Sequence, residues 1–158
     1  MIKKFAVLFM TAALAVGAVV PSYANTYDKN YAFTVRAKHY VTPAYSKDGS
    51  TKVYAYYTVG PYRMAFQTWG TNSGNSSGAN CTKGGTAYVK KNIKSSITNY
   101  IYEQDYSKAY LKINAADENG VGSWAEGVWS PDSTRNYDVV NLAFHLSKPP
   151  CQWQGGNQ

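Results

Sequence analysis

The sequence predicts an all-β protein: an antiparallel β-sandwich of about seven or eight short strands, preceded by a cleaved signal peptide. Three observations carry that prediction. The chain holds 15 tyrosines together with many threonines and valines, residue types that fit a pleated, half-buried surface. Several segments alternate apolar and polar residues with the period of two that a strand requires. Turn-forming residues recur roughly every 8 to 12 residues, the rhythm of short strands.

The leader comes first. Lys3 and Lys4 form a short basic start, an apolar run follows from Phe5 to Val20, and Pro21 breaks it before the small-x-small triplet Ser22-Tyr23-Ala24. This order marks residues 1–24 as a secretory signal peptide cleaved between Ala24 and Asn25. A membrane anchor is the competing reading, but the run is shorter than the ~20 residues that span a bilayer. The expectation is a secreted, extracellular bacterial protein with no transmembrane segment after cleavage. What remains, about 130 residues, suffices for one domain, read as 25–148, and is too short for two. Residues 149–158, rich in Pro and Gly, read as a flexible tail. Losing Lys3 and Lys4 lowers the formal net charge from +7 to +5. That mild excess favours anionic polymers or headgroups. Apart from Lys90, Lys91 and Lys94 the lysines are scattered, so no nucleic-acid site is expected.

The strands follow in order. Tyr31 to Tyr40 alternates, with Phe33, Val35 and Ala37 on one face and Thr34, Arg36 and Lys38 on the other. Asp48-Gly49 is a hairpin signal, and Lys52 to Val59 is the strand after it. Gly60-Pro61 makes a turn before Tyr62 to Trp69, which resumes alternation. Gly70 to Gly85 is rich in Gly, Ser and Asn and reads as a long loop of the kind that is mobile or functional. From 86 to 103, Val89, Ile93, Ile97 and Ile101 recur at helical spacing. The β-branched and aromatic content instead favours two short strands, Ala87 to Lys91 and Ile97 to Tyr102. Lys108 to Ala115 alternates cleanly, Asp117 to Gly120 is a hairpin turn, and Ser123 to Ser130 and Tyr137 to Leu146 close the set.

Cys81 and Cys151 are the two cysteines. In an exported chain they are expected to form one disulfide, closing a loop of about 70 residues worth roughly 4 kcal/mol. Two free thiols, or a bond to another chain, are the alternatives. With two Cys, two His and no short ligand spacing, neither a metal site nor a cofactor is expected.

Catalytic patterns are sparse. His39 and His145 sit inside expected strands, away from any G-x-S-x-G nucleophile. A glycosidase needs two carboxylates about 5 to 10 Å apart, and among the acids only Glu126 stands beside large aromatics. Aromatic platforms are the better feature, because exposed Tyr and Trp can stack on sugars. Tyr54, Tyr56, Trp124 and Glu126 are therefore the candidate ligand-binding residues. In SWAEGVWSPDS, residues 123 to 133, period two puts Trp124 and Glu126 on one face and Trp129 on the other. Ala125 and Gly127 leave room for Trp129 to face the core, and Pro131-Asp132 is expected to end the strand.

The early Phe33-Thr34-Val35, the strand Leu111 to Glu118 and the closing Gly127-Val128-Trp129-Ser130-Pro131-Asp132-Ser133 resemble a family of small exported Gram-positive proteins of unknown function. Lactococcin-972-like bacteriocins are similar in size, export and β-rich character. The chain departs from both in its paired cysteines and in the extension after Ser133. The resemblance implies an extracellular, non-enzymatic bacterial β-sandwich. The functional expectation is binding at the cell envelope, to a polymer or glycan, with bacteriocin-like action included. A carbohydrate-binding module with an aromatic platform is the alternative, and a small hydrolase using Glu126 is the third.

Overall fold

The computed structural model describes residues 25–36, 38–74 and 77–141. The expected leader 1–24, Ala37, and the tail with Cys151 lie outside the described residues. In chain order the strands are β1 (Lys29–Thr34), β2 (Tyr40–Val41), β3 (Tyr45–Ser46), β4 (Lys52–Val59), β5 (Arg63–Thr71), β6 (Ala79–Asn80), β7 (Ala87–Lys90), β8 (Ser95–Ile97), β9 (Lys108–Ala115), β10 (Trp124–Ser133) and β11 (Asp138–Val139). Short 3-10 turns lie at Tyr102–Gln104 and Glu118–Gly120. The first sheet runs β1-β10-β4-β8-β11 and the second β2-β9-β5-β6, with β3 also on β9 and β7 also on β5. The two sheets pack face to face. The strands outnumber the expectation because β2, β3, β6 and β11 are two-residue pieces that carry too little pattern to be read.

Alternation decides which side chains meet between the layers. Met64, Phe66 and Thr68 of β5 lie opposite Ala115, Ile113 and Leu111 of β9. From the other sheet come Val53, Ala55 and Tyr57 of β4, with Ala125 and Trp129 of β10. Trp129 is fully buried, as the small residues around it predicted. Truncating such a ring to Ala costs about 3–5 kcal/mol. Gly127 lies across from Tyr31. A Cβ there would meet Tyr31 Oη and the Tyr56 carbonyl, each at 2.4 Å, so glycine makes the space that Tyr31 fills. The buried Tyr31 hydroxyl makes no hydrogen bond among the described residues, and burial pushes its pKa far above the usual tyrosine value.

Several expected turns prove to be crossings between sheets. The stretch Tyr31 to Tyr40 is not one strand: β1 ends at Thr34 and the chain passes over to β2 in the second sheet. Phe33 and Tyr40, at the two ends of that crossing, stack at 4.1 Å and 2°. Asp48-Gly49 joins β3 in the second sheet to β4 in the first, and Gly49 lacks the positive φ that a type I′ hairpin needs. Gly60, at φ 137°, turns β4 of the first sheet into β5 of the second. Asp117 to Gly120 likewise links β9 to β10 across the layers.

The long polar segment is partly ordered into a hairpin. β5 continues to Thr71, and β6 returns against Trp69 and Gly70. In 86–103 there are two short strands and no helix, as expected, but only β7 falls where expected: β8 spans Ser95–Ile97, ahead of the expected Ile97 to Tyr102, and Tyr102 begins a 3-10 turn. Val89, Ile97 and Ile101 are buried, whereas Ile93 is 46% exposed, so the four-residue spacing did not mark one face. β10 does not end at Pro131 but runs through it to Ser133, with a slip in register between Ser130 and Ser133. Proline lacks the ladder N–H, and a bulge is where a strand tolerates that loss. Of the expected strand Tyr137 to Leu146, only β11 is described, and it pairs parallel to β8. Residues 142–146 lie outside the described residues. No described helix is long and apolar enough to cross a membrane.

Candidate functional site

The residues proposed from sequence lie on the outer face of the first sheet, and they do not form one platform. Trp124 and Glu126 do come together: Trp124 is 49% exposed, and its Nε1 donates to Glu126 Oε1 at 2.5 Å. The residues opposite Glu126 in the flanking strands are Ala32 and Val59, so no second carboxylate stands beside it in the sheet. A shallow depression of about 340 Å³ lies alongside, lined by Asn30, Thr58 and Val128 among others. Tyr54 is only 2% exposed. The Tyr137 ring lies 5.3 Å from it, and the Arg135 guanidinium is 4.7 Å above it. Its face is already occupied. Tyr56 is half-buried beneath Lys94, at 5.9 Å.

The outer face of the second sheet has a more distinctive chemistry. Its strands contain Arg63, Lys90, Lys108 and Lys112 and neither Asp nor Glu. On this face Arg63 lies directly across from Lys90, Ala65 from Tyr88, Gln67 from Lys112 and Trp69 from Tyr110. Like charges directly opposite in a sheet are destabilising. None of Arg63, Lys90 and Lys112 has a carboxylate partner among the described residues, where the ion pairs are Lys47–Asp132 and Arg135–Asp28. Aromatic rings take the place of counter-ions. The Lys112 ammonium sits 3.4 Å above the Trp69 ring, and the Arg63 guanidinium is 5.0 Å from Tyr88. Trp69 Nε1 donates to Gln67 Oε1 at 3.0 Å, fixing the indole. Burial lowers the Lys112 pKa from the usual lysine value. The sequence sets Lys90 beside Lys91 and Lys94 and leaves the other lysines scattered, so nothing in it joins Lys90 to Arg63 and Lys112, which are spread from residue 63 to residue 112. Their alternation within β5, β7 and β9 was the signal that could have gathered them.

A third polar centre lies at the corner between the sheets. Lys47, just after β3, reaches Asp132 in the β10 bulge, Nζ to Oδ1 at 2.5 Å, and both side chains are fully buried. Oδ1 also accepts from Thr51 Oγ1 at 2.7 Å, and Oδ2 from the Asp48 amide at 2.8 Å and the Asn25 backbone N at 3.1 Å. Burial alone would raise the Asp132 pKa. The hydrogen bonds from Lys47, Thr51 and Asp48 outweigh it and hold the carboxyl below its ordinary value. Burial lowers the Lys47 pKa against the pull of Asp132. This centre ties one sheet to the other and is saturated with internal partners, so its role is structural.

Residues 18–133 match the family model described as Protein of unknown function (DUF2712). That is well over half of the sequence, and the chain belongs to this family. Comparisons with curated proteins and with solved structures return no match.

Proposed function

We propose that this DUF2712 protein is exported and acts without catalysis, by binding an anionic polymer of the bacterial cell envelope through the outer face of its second sheet. One observation carries the reading: Arg63 stands directly across from Lys90 in a sheet whose strands contain no acid, with Lys112 over the Trp69 ring and Tyr88 beside Arg63 on the same face. A sheet pays for that arrangement in self-repulsion, and a polyanion would relieve it. Arg63 and Lys90 would meet phosphate or carboxylate groups. Tyr88, 49% exposed, would lie against the sugar or polyol units between them.

The test is co-sedimentation of the mature protein with purified cell walls, either intact or stripped of phosphodiester-linked polymer by hydrofluoric acid. Binding is expected to weaken steeply with salt and to drop at least tenfold on stripped walls. The triple variant Arg63→Ala, Lys90→Ala, Lys112→Ala is expected to lose binding to the same degree while remaining folded. Undiminished binding by that variant would sink the reading. Trp124 beside Glu126 supports a second one, contact with a neutral glycan, which predicts binding that persists on stripped walls and fails in Trp124→Ala.

A further inference from the structure

Asn25 is held from several directions. Its backbone N lies 3.1 Å from Asp132 Oδ2, and its carbonyl accepts the Asp132 amide at 3.3 Å. Its side-chain amide donates to the Ser46 carbonyl at 3.3 Å. Just beyond, Arg135 binds both oxygens of Asp28, at 2.9 and 3.2 Å. Residues 25–28 are thus clamped along 132–135. This is more anchorage than a segment trailing from a leader needs.

The expected cleavage point falls at this same nitrogen. Hydrolysis between Ala24 and Asn25 adds water across the amide bond. The hydroxyl goes to the Ala24 carbonyl carbon, which leaves as a carboxylate, and the Asn25 nitrogen becomes an amine. With an ordinary pKa near ~8, that amine takes a further proton at neutral pH. A neutral amide donor facing a buried carboxylate is thereby replaced by an ammonium. Bonds between ionised partners are roughly twice as strong as neutral ones.

We propose that leader removal creates a second ion pair, Asn25 α-ammonium to Asp132 Oδ2, and that this pair locks the corner between the sheets in the mature protein. The inference rests on the reading of 1–24 as a signal peptide cleaved by an export-associated peptidase. The local charges accommodate the new cation. Lys47 and the ammonium face Asp132, while Asp48 and Glu103 are the other charges felt at Lys47. Asn25 is only half-buried, so the ammonium keeps contact with water and avoids the full cost of burying a charge. The precursor has the same contacts without the charge and is the weaker fold, which suits a chain that must still be exported.

Three mature forms test this: one starting at Asn25, one carrying a single extra residue (Ala24), and one acetylated at the Asn25 amine. Urea unfolding is expected to show the second and third forms about tenfold less favoured in the folded state, about 1.4 kcal/mol. In an Asp132→Asn background that gap should fall below about twofold. Equal stability of the acetylated and free-amine proteins would overturn the inference, as would a gap undiminished by Asp132→Asn. Should Asp132→Asn fail to fold, amine labelling of the unsubstituted protein at graded pH decides. The α-amine is expected to titrate above ~8 when folded, and an ordinary or lower value overturns the pair. The intact mass of the exported protein tests the leader reading separately, since a start other than Asn25 would refute the cleavage point whatever the stability data show.

Discussion

Asp132 illustrates how much one side chain can hold at this size. Its two oxygens take donors from Lys47, Thr51, Asp48 and Asn25, residues more than 80 positions away in the chain. Removing one member of a buried pair leaves the other charge stranded, typically at a cost of 3–5 kcal/mol. Asp132→Asn is expected to lose about that much in urea unfolding. The pH dependence has a definite sign. The folded carboxyl titrates below its ordinary value of about 3.9, so its contribution is present above that pH. It disappears as acid takes the pH down through the folded value. Asp132→Asn should therefore flatten the acid limb of the stability curve, and an unchanged limb would assign it to other carboxylates. Pro131-Asp132 reads in the sequence as the end of the strand, whereas β10 runs on through it to Ser133 with a slip in register. The ionic partner of Asp132 was not legible, because nothing local connects Lys47 to a residue 85 positions later. Trp129 was legible, because small neighbours on an alternating strand are a local signal.

At the level of elements, the alternating strands were read well and the connections were not. β4, β5 and β9 follow the expected segments within a residue or two, since burial of every second residue is written directly into them. Asp48-Gly49 and Asp117 to Gly120 carry the residues of hairpin turns and are crossings between the sheets. Turn chemistry says only that the chain reverses. Which sheet receives the next strand depends on the far side of the core. The outer basic face was missed for a related reason, because it assembles from β5, β7 and β9 only after the crossings are made. β10 holds its place by close fit at Gly127. Gly127→Ala would drive a methyl into Tyr31 and the Tyr56 carbonyl, and overpacking of this kind typically costs 1–3 kcal/mol. A melting temperature unchanged by that substitution would show that both β1 and the β4 backbone at Tyr56 can move aside.

For the whole molecule, the expected covalent closure remains a proposal with a direct test. Cys81 is fully buried, next to the Thr82 bridge to Asn99, and Cys151 lies outside the described residues. If the two pair, the intact mass should be 2 Da lower before reduction than after it. Reduction should then cost roughly 4 kcal/mol on the chain-entropy model. An unchanged mass would favour free thiols. One further consequence follows from the short strands. Each border of the second sheet is broken into two pieces, β2 with β3 on one side and β6 with β7 on the other, and no piece exceeds four residues. A long bare strand recruits other chains into fibrils, and interruption is a recognised protection against it. On the proposed function the protein would gather along a charged polymer at high local concentration, and borders this ragged would let neighbouring copies crowd together without zipping into a common sheet.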